Sequence, residues 1–177
     1  MIQAEGIFAE GIFAGGATKP YIEEIYDSDG NLIDVKLYGY TKIRDSAFYV
    51  CGNLALTSLP EGITSINDSA FIDCTNLALT SLPAGLTSIG QYAFGYCENL
   101  ALTSLPKGIT SIGYYAFAHC TGLTSLTFLG TPTSIASSAF QNCTNLTTIK
   151  VPWAEGAVAN APWGATNATI NYNYTGG

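Results

Sequence analysis

Charged residues are scarce in this chain of 177 residues. They make up 11% of the sequence, whereas apolar residues make up 47%. A disordered chain needs low hydrophobicity and high charge, so this balance predicts a folded domain with a real core. Only six residues are Lys or Arg against 13 Asp or Glu, which gives a formal net charge of −7. Because phosphate and anionic lipid surfaces need clustered basic residues, we expect neither nucleic acid nor a polybasic membrane contact as a partner.

Long apolar runs are also missing. None approaches the roughly 20 residues that a membrane-spanning helix needs, so membrane insertion is not expected. The start of the chain, Met1 to Gly6, shows no basic segment followed by an apolar one, so no secretory signal is recognisable. The sequence therefore leaves the compartment open.

What the sequence does have is a repeat of 23 residues. Several residue types recur at that step, and all their columns keep one common register. One such unit cannot bury its apolar side chains alone, but stacked units place each column on itself and form a continuous core. The repeat therefore predicts a solenoid of five coils over residues 43–152. Its predicted structural core ladder consists of Phe48, Phe71, Phe94, Phe117 and Phe140 together with Cys51, Cys74, Cys97, Cys120 and Cys143, beside leucines at 54, 77, 100, 123 and 146.

The composition of one coil predicts its local structure. Segments such as Ile-Thr-Ser-Ile are short and suit brief parallel strands, whereas Tyr-Ala-Phe-x-x-Cys lacks alternation and predicts one helical turn per coil. The first three repeats space their leucines as Leu-x-Leu-x-x-Leu and the last two as Leu-x-x-Leu-x-Phe or its equivalent, so we expect their strand registers to differ. One column exchanges Asn only for Gly, which predicts a left-handed backbone there; it contains Asn53, Asn76, Asn99, Gly122 and Asn145.

Both ends of the repeat need covers, because an open solenoid end exposes core and unpaired strand edges. Residues 20–42 predict a β-hairpin cap, in which two apolar runs flank the turn-forming cluster from Asp27 to Asn31. Residues 153–177 contain both tryptophans and predict the opposite cap. Residues 1–19 repeat Glu-Gly-Ile-Phe-Ala and are too apolar for a free tail. We expect them either to pack on the body or to mediate self-association.

The elements Cys-x-x-Leu, Thr-Ser-Ile-Gly and Tyr-Ala-Phe resemble the BspA-like leucine-rich repeats of bacterial and some protozoan surface proteins. The resemblance covers about residues 43–152. It implies an α/β repeat solenoid, wound as a right-handed stack. It also implies a non-enzymatic, surface-exposed binding protein, some members being adhesins for host matrix proteins or other cells. A cell-surface, extracellular or phage-virion location is the expectation that follows.

Catalytic and metal-binding chemistry finds little support. The cysteines lie one per coil beside Phe and Leu, so we interpret them as buried free thiols that pack as small apolar groups. Their count is odd, parallel side chains suit a disulfide poorly, and no histidine column completes a zinc site. His119 is the only histidine, and its column varies as a solvent-facing position does. We therefore expect no enzyme activity, no metal and no cofactor.

One group of exposed residues stands out. If the coils stack in register, five side chains on neighbouring coils form an aromatic patch: Tyr92, Tyr96, Tyr114, Tyr115 and His119. Aromatic side chains are enriched at protein interface cores and also stack on sugars, so we predict a recognition module for a protein or glycan. Two alternatives stay open. The tyrosines could merely shield the turns, or the chain could be an assembly component, of a phage tail or surface layer, that forms a homo-oligomer through residues 1–18.

Overall fold

The computed structural model describes residues 20–176. The predictions about the apolar segment 1–19, including self-association, lie outside the described residues. Strands and turns make up the regular structure of residues 20–176, with no helix among them. The strands are β1 (Tyr21–Tyr26), β2 (Leu32–Tyr38), β3 (Lys42–Ile43), β4 (Ser65–Ile66), β5 (Ser88–Ile89), β6 (Ser104–Leu105), β7 (Ser111–Ile112), β8 (Ser125–Phe128), β9 (Ser134–Ile135), β10 (Thr148–Lys150) and β11 (Thr169–Asn171).

Two parallel sheets run along the solenoid. The first has the order β3-β4-β5-β7-β9, and its strands pair isoleucine with isoleucine at steps of 23 residues. Serine likewise pairs with serine, as Ser88 with Ser111, except that β3 has Lys42 opposite Ser65. The second has the order β11-β10-β8-β6. Each strand turns one residue inward and its neighbour outward, so the isoleucines are buried while the serines face out. The parallel-strand solenoid predicted from the repeat is thus confirmed.

The predicted helical turn per coil is wrong. In each Ala-Phe-x-x-Cys segment, short four-residue turns alternate with bonds to the neighbouring coil. The N–H of Tyr49 bonds within its own coil to Ser46 O (3.1 Å), whereas the N–H of Phe48 bonds to Ala70 O (2.7 Å) of the next coil. A helical turn would direct these groups along its own axis. Here every second N–H joins two coils instead, which requires a left-handed residue on either side of the buried phenylalanine.

Those left-handed residues are not the ones that the sequence predicted. The column of Asn53 and its equivalents has no positive φ, and the same holds for Gly122. Gly122 is needed for space, because a Cβ there would lie 2.6 Å from the carbonyl oxygen of Leu100. The asparagine side chains bridge coils instead, as where Asn145 Nδ2 donates to Thr121 O over 2.8 Å. The restriction of this column to Asn and Gly therefore reflects two features: a side-chain hydrogen bond between coils where the residue is Asn, and a close approach of two backbones where it is Gly.

The number of coils is also larger than predicted. The C-terminal segment makes a further turn of the solenoid, and its strand joins the edge of the second sheet. Its strand β11 pairs in parallel with β10, and Phe140 N bonds to Trp163 O (2.9 Å) as Phe117 N bonds to Ala139 O. Ile170 pairs with Ile149 across 21 residues rather than 23. This shorter step, and a tryptophan at the position whose carbonyl group belongs to alanine in the earlier coils, conceal the last turn from a search for a fixed period.

The second sheet begins only in the later coils. No strand is formed over 54–59 or 77–82, and β6 has two residues that pair with Thr127 and Phe128 at the end of β8. The leucine spacing contributes to this difference. In the first coil, Thr57 and Ser58 are two successive outward residues and interrupt the alternation, whereas β8 alternates without interruption from Ser125 to Phe128.

The phenylalanines and cysteines lie at the centre of the stack. Successive rings are parallel, with centroids 5.0–5.4 Å apart, and every one is at most 2% exposed. All five cysteines are free and buried. From the second onward, each thiol donates to the phenylalanine carbonyl of the preceding coil, as Cys97 Sγ does to Phe71 O over 3.0 Å. The ladder therefore joins coils through both ring stacking and thiol hydrogen bonds.

Burial raises the pKa of these thiols, in the case of Cys143 from 9.0 to about 12. Between the two pKa values the thiols therefore stay protonated in the folded chain but ionise in the unfolded chain. The stabilisation is fully present below about pH 9 and is lost as the pH rises towards the pKa that the thiols have in the folded chain. We expect the free energy of unfolding to fall above about pH 9, each raised thiol contributing up to about 1.4 kcal/mol per pH unit. Urea unfolding at a series of pH values measures this slope.

A Cys97→Ala variant provides the control, because the pKa of the Cys97 thiol is also raised by burial. Tyrosine and lysine titrations are common to both proteins and cancel in the comparison. The variant should lose stability with pH less steeply than the parent. Parallel curves would show that the thiols are ionised alike in the folded and unfolded chain.

The two ends are covered by different structures. At the N-terminal end, β1 and β2 form an antiparallel hairpin, and Ala55 N bonds to Ile33 O (2.8 Å) to join it to the first coil. At the C-terminal end, Trp153 and Trp163 are buried against Phe128, with ring centroids 5.2 and 6.0 Å from it. The hairpin and this aromatic cluster together close the core that the phenylalanine stack would otherwise leave open.

Candidate functional site

The turn segments of successive coils lie side by side and form one long edge of the solenoid. Two columns on this edge have positive φ, four residues apart in each of the first four coils, so their side chains point away from the buried phenylalanine between them. Ser, Val, Asp and Asn occupy the same columns in other coils, which makes the backbone geometry a property of the repeat. The columns are Ser46, Ser69, Tyr92 and Tyr115, and Val50, Asp73, Tyr96, His119 and Asn142, with φ between 53° and 61°.

Four of the five predicted site residues form two ring stacks on this edge. Tyr92 stacks on Tyr115 with centroids 4.8 Å apart, and Tyr96 stacks on His119 at 4.4 Å. Tyr96 is 38% exposed and the other three are half-buried. We call Tyr92, Tyr96, Tyr115 and His119 the aromatic ridge. Because each ring is supported by a ring of the next coil, the ridge presents its aromatic surface in a fixed arrangement.

Small residues make room for the ridge. The Tyr92 ring lies over Gly95, where an added Cβ would come within 3.3 Å of Tyr92 Cδ1. The equivalent position in the next coil is Ala118, which is 2% exposed. In the first coil, however, this position is Tyr49, which is 54% exposed. Gly95 and Ala118 therefore permit the tyrosine rings to lie close to the backbone at the two central coils.

His119 is held in the stack from both sides. Its ring lies on Tyr96, and its Nε2 is 3.0 Å from Nδ2 of Asn142 on the following coil. An amide nitrogen only donates, so Nε2 is the acceptor in this pair. The backbone N–H of His119 bonds to Gln141 O (2.9 Å). A histidine engaged in this way displays a flat ring face and is not paired with a nucleophile, so its arrangement suits recognition.

Tyr114 does not join the stacks. Its side chain is 56% exposed and lines a groove beside the ridge, along the outer face of the first sheet. The structure thus gathers four of the five predicted residues on the ridge and places the fifth on the groove. The wall position of Tyr114 is shared at 23-residue steps by Asp45, Asp68 and Gln91. Sequence reasoning missed these three, although extending the Tyr114 column backwards would have found them.

The groove is lined by polar and apolar residues together. Its volume is about 690 Å³, and it runs from the first coil to the fifth. Within residues 20–176 no group of three or more His, Cys, Asp or Glu is placed to hold a metal ion. The same part of the chain contains no helix long and apolar enough to cross a bilayer. The groove is lined by Asp45, Ile66, Asn67, Asp68, Ser88, Ile89, Gly90, Gln91, Ser111, Ile112, Gly113, Tyr114, Ser134, Ile135, Ala136 and Asn160.

Comparison with known families decides the class of repeat. The BspA type leucine rich repeat region matches residues 41–158, in six copies. The chain belongs to the BspA-type leucine-rich-repeat family. The resemblance inferred from Cys-x-x-Leu and its companion elements is therefore confirmed. Repeats of this family typically serve as non-enzymatic scaffolds, so the ridge and the groove are the features of this BspA-type protein that bear on its function.

Solved leucine-rich-repeat proteins share the fold. A leucine-rich repeat protein from Bacteroides ovatus is 32% identical over 62% of this chain, with a TM-score of 0.53. The chain spans only 28% of that protein's length. The leucine rich repeat protein of T. pallidum is 24% identical over 86% of this chain and 79% of its own, with a TM-score of 0.59. These likenesses support the solenoid architecture. Comparison with curated proteins gives no match.

A leucine rich cell surface protein from Faecalibacterium prausnitzii is also similar. It is 21% identical over 78% of this chain and 56% of its own, with a TM-score of 0.39. At that score the likeness supports no statement about this BspA-type chain.

Proposed function

We propose that this BspA-type chain is a non-enzymatic recognition module that binds a protein or glycan through the aromatic ridge and the adjoining Tyr114. The observation that carries the proposal is the pair of preformed ring stacks, Tyr92 with Tyr115 and Tyr96 with His119, held on a rigid backbone. Rings fixed before binding lose little conformational entropy when a ligand packs on them. Aromatic residues also dominate the binding energy of many interfaces.

The rival proposal, an assembly component, has less support. It depends on self-association through residues 1–18, which lie outside the described residues. The ridge, in contrast, lies on a face that nothing in residues 20–176 covers, and Tyr96 and Tyr114 are 38% and 56% exposed. Shielding of the turns alone would not require this much exposed aromatic surface. We further propose a surface location, as the family suggests.

The chain itself offers the substitutions that test the ridge. Serine occupies the Tyr92 and Tyr115 column at Ser46 and Ser69 with the same positive φ, and asparagine occupies the Tyr96 column at Asn142. A variant with Tyr92→Ser, Tyr96→Asn and Tyr115→Ser should therefore fold. We expect it to bind at least tenfold more weakly, or about 1.4 kcal/mol, to whichever glycan or matrix protein the parent captures on an array.

Tyr21 and Tyr38 provide a matched control. They form another exposed ring stack, 4.4 Å apart, on the hairpin at the end of the solenoid. A Tyr21→Ser and Tyr38→Ser variant also loses stacked tyrosines, but far from the ridge in sequence and on a different element. It should bind as the parent does. Equal binding by the ridge variant and the parent would remove the ridge as the site.

A further inference from the structure

Two glycines line the groove along the first sheet, at positions where the coils stack too closely for a side chain. In β4, β5, β7 and β9, the residue after the buried isoleucine lies on the floor of the groove. In the two central coils this residue is glycine, Gly90 and Gly113. A Cβ on Gly90 would lie 2.5 Å from Asp68 Oδ1, and one on Gly113 would lie 2.6 Å from the backbone nitrogen of Gln91. Neither glycine has a positive φ. The close stacking of coils therefore excludes side chains at these two positions of the groove lining.

The wall of the groove offers one polar or aromatic side chain per coil. Asp45, Asp68, Gln91 and Tyr114 are all exposed. One oxygen of Asp68 accepts the backbone N–H of Gln91 over 2.7 Å, which fixes this carboxylate against the next coil. The side-chain amide of Gln91 has no hydrogen-bond partner among residues 20–176, and neither has the hydroxyl of Ser111. These groups are free to bond a ligand that lies in the groove.

The direction of the groove restricts the ligand. The groove crosses β4, β5, β7 and β9 of the first sheet, and each inner strand is already paired on both sides. A peptide lying along it could not add to a strand edge, which is how extended peptides usually gain affinity. The ligand must instead be bound by hydroxyl, amide and carboxylate side chains and by one exposed tyrosine ring. Ligand hydroxyls satisfy those polar groups as both donors and acceptors, and a sugar ring offers a flat apolar face to tyrosine.

We propose that this groove binds a linear, uncharged polysaccharide along the solenoid axis, with Tyr114 stacked on one sugar ring and Gln91 bonded to its hydroxyls. The inference rests on the proposed recognition function and names a ligand class and a second surface for it. Five coils at strand spacing give the groove a length of roughly 20 Å, enough for several sugar units. The charged side chains of its lining are the carboxylates of Asp45 and Asp68, which repel an acidic polymer.

Affinity electrophoresis tests the proposal directly. The intact chain is run in native gels that contain laminarin, xylan, galactomannan or soluble starch, and in gels that contain polygalacturonate as the acidic probe. We expect retardation by at least one neutral polymer and none by polygalacturonate. Gln91→Ala and Tyr114→Ala should each weaken binding and raise the dissociation constant at least fivefold. No retardation by any of the four neutral polymers would overturn the proposal, as would stronger retardation by polygalacturonate.

Two control variants match the groove variants. Gln141→Ala removes an exposed glutamine, and Tyr49→Ala removes a tyrosine that is 54% exposed against 56% for Tyr114. Neither residue lines the groove, so both variants should be retarded as the parent is. If these controls weaken binding as much as Gln91→Ala and Tyr114→Ala do, the groove is not the site.

The proposal for the groove and the proposal for the ridge can be contradicted independently. Retardation that depends on Gln91 but not on Tyr92 and Tyr115 would support the groove and show that the ridge does not bind that polymer. Capture of a matrix protein that depends on Tyr92 and Tyr115, with no retardation by the neutral polymers, would support the ridge and overturn the groove proposal.

Discussion

Replacement of Phe94 by alanine is expected to lower the free energy of unfolding by about 3–5 kcal/mol. Phe94 is fully buried, and its ring lies 5.4 Å from that of Phe71 and 5.4 Å from that of Phe117. Its N–H bonds to Ala116 O (2.8 Å), and its carbonyl accepts the thiol of Cys120 (3.0 Å). These bonds fix the spacing to the following coil, and the bond from Phe71 N to Ala93 O (2.8 Å) fixes the spacing to the preceding one. Because the coils on both sides are fixed in this way, the cavity cannot collapse, and the full transfer and cavity costs remain.

Chemical denaturation of the variant beside Tyr49→Ala measures this effect. Tyr49 follows Phe48 on the same edge but is 54% exposed, so its truncation should change stability by no more than about 0.5 kcal/mol. Phe94→Leu, which retains most of the volume, should lie between the two. A loss for Phe94→Ala no larger than that for Tyr49→Ala would mean that the ring is not enclosed between its neighbours.

Gly130→Ala is the second substitution expected to have a large effect. A Cβ at Gly130 would lie 2.1 Å from the carbonyl oxygen of Lys107, which is the equivalent residue one coil earlier. Gly130 has no positive φ, so the cost comes from contact between coils and not from backbone conformation. Leu129 N bonds to Leu105 O (3.1 Å) beside it and limits any separation. We expect a loss of about 1–3 kcal/mol, towards the upper end, because neither backbone can move freely.

Gly85→Ala is the matched control for this substitution. A Cβ at Gly85 would meet the carbonyl oxygen of Glu61, also on the preceding coil, at an ordinary contact distance of 3.7 Å. Its φ is not positive either, so alanine should be neutral or stabilising by up to about 1 kcal/mol, through the reduced entropy of the unfolded chain. Thermal or urea unfolding of both variants distinguishes the two positions. Equal stabilities would show that the coils at Gly130 are further apart than the structure places them.

The sequence was sufficient to predict a solenoid because buried columns leave a periodic trace. A ring such as Phe94 must contact equivalent rings on both sides, so the same residue type recurs at each step. The local backbone left no such trace. The left-handed positions are occupied by Ser, Val, Asp, Tyr, His and Asn, and of these types only Asp, His and Asn favour positive φ. A helical turn was therefore a reasonable prediction and a wrong one.

The candidate site was only partly predictable for a related reason. Equal spacing indicated that Tyr92 and Tyr115, and Tyr96 and His119, would lie on neighbouring coils. It could not show that Tyr114, adjacent to Tyr115 in sequence, turns to a different surface. That separation depends on the positive φ of Tyr115, which turns its ring onto Tyr92 while Tyr114 faces the groove. The groove itself was missed, because its floor is defined by glycines whose role is spatial.

The ridge and the groove adjoin along Tyr114, which follows the glycine of the groove floor and precedes the first ridge residue of its coil. A ligand that spans both surfaces would contact stacked rings on one side and hydrogen-bonding side chains on the other. Neither surface requires the coils to move, because the stacks and the glycine floor are fixed by bonds between coils. We therefore expect binding without rearrangement of residues 20–176.

The contact between equivalent rings on successive coils underlies every proposal above. Nuclear Overhauser spectra of the chain, labelled only at phenylalanine rings, measure it in solution. With centroids 5.0–5.4 Å apart, we expect cross-peaks to connect Phe48, Phe71, Phe94, Phe117 and Phe140 in that order, with none that skips a coil. Missing connections within this series, or a ring broadened by a soluble paramagnetic probe, would contradict the stacked core.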